Sequence, residues 1–334
     1  MSRSFRGACR RRYIKSILQE IKMNPAVTVK NIEKSYGTKK APVQALVGIS
    51  FDVAKGELFG IIGPDGAGKT SLFRILTTLL LAEKGEATVD GFDVVKDYKQ
   101  IRNRVGYMPG RFSLYQDLTV TENLEFFATM FNTRIEENYE LIEDIYVQIK
   151  PFKNRRAGKL SGGMKQKLAL CCALIHRPTV LFLDEPTTGV DAVSRKEFWE
   201  MLKKLKQQGI TILVSTPYMD EAAICDRVAL IQSGKIMSVD TPAAIIEKFG
   251  KDIFAVRSTN MFPLLKELVT FNGAEDAYSF GEYHHVVMKE NSDEKMLRDY
   301  LLKYNDNDLE IKKIRPDIED CFMALMKTNN ESNG

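Results

Sequence analysis

Eight consecutive residues, Gly63-Pro64-Asp65-Gly66-Ala67-Gly68-Lys69-Thr70, constrain this chain more than any other stretch. They follow the apolar run Leu58-Phe59-Gly60-Ile61-Ile62, whose pattern predicts a buried strand. They precede Ser71-Leu72-Phe73-Arg74-Ile75-Leu76, which predicts the first turns of a helix. Strand, glycine-rich turn and helix N-terminus in that order match G-x-x-x-x-G-K-[ST]. The three glycines clear side chains from the path of the backbone N–H groups, so these can close around phosphate oxygens. The helix N-terminus adds partial positive charge. Lys69 is expected to reach β/γ-phosphates, and the Thr70 hydroxyl to ligate Mg²⁺. Pro64, Asp65, Ala67 and Ser71 complete the candidate cradle.

A chain of 334 residues predicts about two domains, each able to bury a core. The net charge of +4 is unevenly placed. Arg3, Arg6, Arg10, Arg11, Arg12, Lys15 and Lys22 face one acid, Glu20, within residues 1–22, which leaves the remainder near neutral. That balance argues against a nucleic acid partner. Residues 1–22 lack the apolar core of a secretory signal. Ile14, Ile17, Leu18 and Ile21 fall at helical spacing opposite the basic face, but the expectation is an unstructured extension ahead of a protein that begins at Met23. Cys9, Cys171, Cys172, Cys225 and Cys321 show no paired metal-ligand spacing and read as free thiols. No apolar run approaches the length of a membrane span; Leu168 to Ile175 suits a core helix.

Along the chain, a strand from Ala26 to Ile32 is expected to end in a turn at Glu33–Gly37. Further strands are expected near Val43–Val53 and Glu86–Val89, and helices over 99–105, 118–130 (capped by Thr119 or Thr121) and 131–159. Leu160-Ser161-Gly162-Gly163 opens a helix to about His176. The uninterrupted apolar run Val180–Leu183 reads as a strand buried on both faces of a parallel sheet. A helix over 193–208, a strand over 210–215, a short helix over 220–223 and strands over 228–231 and 235–239 follow. Beyond Phe249-Gly250 the order is strand, helix, hairpin, helix, strand and a last helix over 316–327. That βαββαβ order predicts a small ferredoxin-like α+β module. The expected division is 23–245 for the first domain and 246–330 for the accessory one.

A phosphate loop requires a carboxylate from a neighbouring strand end to hold Mg²⁺. Asp184, closing the apolar run, is placed for that, and Glu185 can polarise an attacking water. Leu160-Ser161-Gly162-Gly163 resembles the signature motif of ABC-type ATPases. Tyr36 resembles the aromatic that stacks on adenine, Thr188-Gly189-Val190-Asp191 the D-loop, and Gly106-Tyr107-Met108-Pro109 the approach to the Q-loop. The resemblance covers roughly residues 26–245. It implies an α/β P-loop NTPase core of the ABC ATPase type, with a mixed sheet, an antiparallel β subdomain and a helical subdomain. It implies ATP and Mg²⁺ as cofactors, with Lys69, Asp184 and Glu185 catalytic. It also implies a head-to-tail dimer, with an identical or different nucleotide domain, in which Ser161, Gly162 and Gly163 act in trans on the γ-phosphate. The context Phe112-Ser113-Leu114-Tyr115, Leu118-Thr119-Val120 and Tyr218-Met219-Asp220-Glu221-Ala222 resembles ATPase subunits of ABC-2-type exporters. Such subunits sit in the cytoplasm, on the inner face of the cell membrane, against transmembrane permease subunits.

Two positions depart from that family. Its Q-loop glutamine is Gly110 here, with Gln116 too far along to replace it, and its H-loop histidine is Pro217, which offers no donor. The expected consequence is a subunit that binds MgATP and hydrolyses it poorly in its own site, unless Ser215 or Thr216 compensates. The competing expectations are a nucleotide-gated module that never turns over and a soluble ABC ATPase outside transport.

Overall fold

The computed structural model describes residues 25–38, 41–304 and 308–331. The expectations for residues 1–22, for a start at Met23 and for Cys9 lie outside these. The chain falls into two compact units that divide between Pro242 and Ala243.

The first unit opens on two antiparallel strands, β1 (Val27–Thr38) and β2 (Ala41–Val53). Glu33–Gly37, expected as a turn, is strand. Register shifts after Val29 and Ile32 absorb irregular residues such as Asn31, at φ 50°, without ending the pairing. β3 (Leu58–Ile62) is buried at all five residues and leads through the glycine-rich loop into α1 (Lys69–Leu76). β4 (Lys84–Val89) and β5 (Phe92–Asp93) complete the first sheet, in the order β2-β1-β4-β5. α2 (Tyr98–Arg102) is shorter than the expected helix because Val105 already belongs to β6 (Val105–Met108), a strand too short to show a period.

α3 (Val120–Met130) starts at Thr119 rather than Thr121. The Thr119 hydroxyl accepts from the Glu122 N–H at 3.2 Å, and the Glu122 carboxylate accepts from the Thr119 N–H at 2.7 Å, a reciprocal cap. The helix expected over 131–159 is broken. Its regular part is α4 (Tyr139–Ile149), flanked by 3₁₀ turns, the second of which contains Pro151, which has no N–H to continue the ladder. α5 (Gly162–Leu174) and β7 (Val180–Asp184) follow, then α6 (Ala192–Gln207) and β8 (Thr211–Thr216). β9 (Arg227–Gln232) and β10 (Lys235–Asp240) close the unit.

The second sheet runs β10-β9-β3-β8-β7-β6, parallel except for β10. β3, β7 and β8 are buried throughout, as central strands of a parallel sheet covered on both faces must be. Register aligns their C-terminal ends: Ile62 lies opposite Thr216, and Asp184 opposite Ser215. In open α/β sheets that edge is where ligands bind.

The second unit contains α7 (Pro242–Phe249) from Ala243 onward, a helix the sequence pattern did not announce. It continues with β11 (Ile253–Arg257), α8 (Met261–Thr270), β12 (Ala274–Phe280), β13 (Tyr283–Met288), α9 (Glu294–Leu301) and β14 (Glu310–Ile314). The sheet order β12-β13-β11-β14, antiparallel at every step, is the ferredoxin-like arrangement. Leu264, Leu268, Leu297 and Leu301 of the two helices bury against Phe254, Val256, Val286 and Met288. α10 (Ile318–Glu331) extends past the expected end at 327. Its buried Asp320 accepts from the Tyr278 hydroxyl and pairs with His285 Nδ1, each at 2.7 Å, which ties the helix to β12 and β13. Asp320→Ala strands both partners and should cost about 2–3 kcal/mol. Urea denaturation followed by hydrogen exchange in β12 and β13 will show the loss; unchanged protection would contradict it.

Candidate nucleotide-phosphate site

The loop between β3 and α1 is shaped by what its glycines approach. A Cβ at Gly63 would stand 2.1 Å from the Ile231 carbonyl on β9, so only glycine fits. Gly66 and Gly68 sit at φ 78° and 104°, the left-handed region that side chains disfavour. The Gly63 N–H donates to the Thr216 carbonyl at 3.3 Å, and the Ala67 carbonyl accepts from the Gly234 N–H at 3.0 Å, which fastens the loop to β8 and to the β9–β10 turn.

Lys69 begins α1 and is only 3% exposed. Its ammonium donates to the carbonyls of Gly63 (2.8 Å) and Pro64 (3.0 Å) and pairs with Glu185 Oε1 at 3.1 Å; Asp65 Oδ1 lies at 4.0 Å. An ammonium has three protons, and these three close contacts use them all. Glu185 stands directly after β7 at φ 50°. Its N–H donates to both the carbonyl (3.0 Å) and the hydroxyl (3.1 Å) of Ser215. The same hydroxyl donates to Asp184 Oδ1 at 2.6 Å, in a buried setting. The structure therefore gathers Lys69, Asp184 and Glu185 at one sheet edge, with Ser215 between the two carboxylates. Burial and the Asp184 charge push the Tyr107 hydroxyl up to about 12, against the pull of Arg74, which hydrogen-bonds it.

Thr70 and Ser71 occupy the first turn of α1. Tyr36, 43% exposed, shares a hydrogen bond between its hydroxyl and Ser71 Oγ at 3.0 Å, so the aromatic stands beside the phosphate loop. Ser161 caps α5, its hydroxyl accepting from the Met164 N–H at 3.4 Å. A Cβ at Gly163 would lie 2.9 Å from the Ser194 hydroxyl, so this glycine lets α6 pack closely on α5. Gly162 lines a cleft of about 190 Å³ with Gly110, Glu185 and Gly189, and no residue of the phosphate loop lines it. That cleft joins the signature glycine to Glu185 without reaching the phosphate loop itself.

The two departing positions have clear surroundings. A Cβ at Gly110 would lie 3.0 Å from the Asp184 carbonyl, tighter than ordinary contact. After Pro217, the Tyr218 N–H donates to the Thr216 hydroxyl (3.1 Å), which itself donates to the buried Glu221 Oε2 (2.5 Å). Arg195 of α6 lies 3.9 Å from Glu221 Oε1 and 4.9 Å from the Tyr218 ring centroid. The hydroxyls of Ser215 and Thr216 are thus both committed inside the protein. The contacts of Ser215 with Asp184, Tyr107 with Arg74 and Arg195 with Glu221 escaped sequence reading because the partners lie 26 or more residues apart in the chain. The one available signal was polar residues closing the apolar strand Ile212–Val214.

Among the described residues no cluster of three or more His, Cys, Asp or Glu could hold a metal. The donor set fits Mg²⁺ only in the manner usual for that ion, through one carboxylate, a hydroxyl and phosphate oxygens.

A glycine cradle, a buried lysine and a paired carboxylate at the end of a parallel sheet define a phosphate-loop nucleotide-binding cassette. A family model described as ABC transporter matches residues 46–188. The probable multidrug ABC transporter ATP-binding protein YbhF of Escherichia coli (strain K12) is 36% identical over 311 residues, 91% of this chain and 53% of that protein. The chain thus spans about half the length of that relative. The ABC transporter ATP-binding protein NatA of Bacillus subtilis (strain 168) is 39% identical over 215 residues, 63% of this chain and 87% of that protein. Among solved structures, the dimeric post-hydrolysis state of the ATP-binding cassette MJ0796, bound to ADP and Pi, superposes with a TM-score of 0.58 at 26% identity. That match covers 64% of this chain and 98% of the other. The chain belongs to the ABC transporter ATP-binding proteins, whose nucleotide is ATP.

With all three protons of Lys69 engaged, an anion that pairs with Lys69 competes with the Glu185 carboxylate, its one anionic partner within hydrogen-bonding distance. Glu185→Gln should therefore bind ADP several-fold more tightly than wild type in titration calorimetry, while equal or weaker binding would show that the ion pair does not compete.

Proposed function

We propose that this chain is the energising subunit of an ABC-2-type exporter, in which ATP-driven association of two nucleotide domains is coupled to separate transmembrane permease subunits. The observation that carries this is the convergence of Lys69, Asp184 and Glu185 at one sheet edge, beside a loop in which Gly63 and Gly68 leave no room for a side chain. Similarity to YbhF over 91% of the chain, well into the second unit, supports the exporter assignment and an accessory role for that unit. No helix among the described residues is long and apolar enough to cross a membrane, and in this reading the permease subunits make the crossing. A cleft of about 440 Å³ beside Pro109, lined by Leu114, Phe127, Met130 and Phe131, offers that partner an apolar seat on the inner membrane face.

In this reading the loop N–H groups and Lys69 bind the phosphates, Tyr36 stacks on adenine, and Thr70 and Asp184 hold Mg²⁺. The ion supplies Lewis-acid neutralisation of phosphate charge. Glu185 orients the attacking water once Lys69 turns to phosphate. Ser161, Gly162 and Gly163, capping α5 on an exposed surface, serve the phosphate loop of a second nucleotide domain, identical or different.

Hydrolysis is weak in this chain's own site. Gly110 and Pro217 offer no polar side chain, and Ser215 and Thr216 are already engaged. Loss of one transition-state donor costs about 10²–10³-fold in rate. Pro217→His should raise the low ATPase turnover of the purified protein at least tenfold. Gly110→Gln should help less, because its Cβ meets the Asp184 carbonyl at 3.0 Å. Fast wild-type turnover indifferent to both changes would refute the impairment, and nucleotide binding with no turnover in any variant would favour a non-hydrolysing module.

A further inference from the structure

We infer that Ser215 is a positioning residue that sets the Mg²⁺ dependence of nucleotide binding by aiming the Asp184 carboxylate. The inference rests on the nucleotide reading above and adds a residue to that site. Ser215 is fully buried near the end of β8, directly opposite Asp184 in the parallel register. Its single proton goes to Asp184 Oδ1 at 2.6 Å, the length of a strong charge-assisted bond. Its oxygen accepts from the Glu185 N–H at 3.1 Å, and its own carbonyl accepts from the same N–H at 3.0 Å.

Each of these contacts removes a freedom the site cannot leave open. Asp184 is 2% exposed, and a carboxyl group that deeply placed needs a hydrogen-bond partner to be satisfied and to keep one orientation. With Oδ1 tied to Ser215, Oδ2 is the oxygen left for a cation. Glu185 adopts φ 50°, a conformation that costs a non-glycine residue free energy and persists only where neighbours over-determine it. The forked bond from its N–H to Ser215 provides that restraint and delivers the Glu185 carboxylate to Lys69 at 3.1 Å. One hydroxyl thus orients both acids. An apolar side chain there would leave Asp184 Oδ1 buried and without its donor, with the carboxylate free to turn.

Groups that orient a metal ligand from behind are typically worth about 10–100-fold in metal affinity. The full chain should therefore be titrated with ADP in excess Mg²⁺ and again in EDTA, as wild type, Ser215→Ala and Ser215→Thr. Mn²⁺ binding to the ADP complex, followed by electron paramagnetic resonance, reads the metal directly. Ser215→Ala should lose about tenfold or more of the Mg²⁺-dependent gain in ADP affinity, and bind Mn²⁺ correspondingly weakly, while its affinity in EDTA should not fall below wild type, because a loosened Glu185 competes less for Lys69. Ser215→Thr, which keeps the hydroxyl, should recover most of the gain. An unchanged gain in Ser215→Ala would overturn the inference, as would equal losses with and without metal, which would mark a general packing defect. Failure of the wild type to bind ADP under either condition would overturn the nucleotide reading itself, and this inference with it.

Discussion

A buried ammonium is the constraint from which the rest of the site follows. Lys69 enters the protein at the head of a helix and at the edge of a parallel sheet, where water cannot solvate its charge. Two loop carbonyls and one carboxylate neutralise it, and each imposes a demand elsewhere. The carbonyls of Gly63 and Pro64 can face inward only because Gly63 lies almost against the Ile231 backbone. Glu185 can reach the ammonium only because Ser215 holds its backbone in an unfavourable conformation. The phosphate loop, the end of β7 and the end of β8 are therefore one electrostatic unit.

On the proposed reading, that unit also accounts for a site that would bind well and turn over poorly. Its loop, lysine and carboxylates restrain one another. Gly110 and Pro217 stand where the family resemblance calls for polar side chains. Nearby hydroxyls do not fill the gap, since Ser215 donates to Asp184, and Thr216 donates to the buried Glu221. Gly110 packs against the Asp184 backbone with little room to spare, so the loop leaving β6 is fitted to a residue without a side chain. On that same reading, the subunit would act as half of a pair, with its signature residues serving a partner's phosphates.

Much of this was legible from residue order. The strand–loop–helix motif, the acids closing β7, the signature at the start of α5 and the βαββαβ order of the second unit are contiguous patterns, and all appear in the structure. The misreadings have separate causes. Glu33–Gly37 has turn-like composition but lies within an irregular strand pair, where cross-strand bonds outweigh local preference. Residues 131–159 have helical composition, but Pro151 and a series of 3₁₀ turns divide them. β6 is four residues long and could not announce itself through any period.

By itself, the sequence determined which segments become strands and helices and where phosphate, metal and water chemistry must be concentrated, because those properties depend on neighbours a few residues apart. The tertiary structure alone decided which side chains restrain the chemistry. Asp184 meets Ser215, and Lys69 meets Glu185, only through the register of parallel strands whose connections run over helices. Parallel pairing leaves no short-range trace in a chain, since its partners are set by burial of whole strands and not by a turn between them. The same burial makes the contacts matter, because a polar group sealed into that sheet edge has to find its partner there or go without.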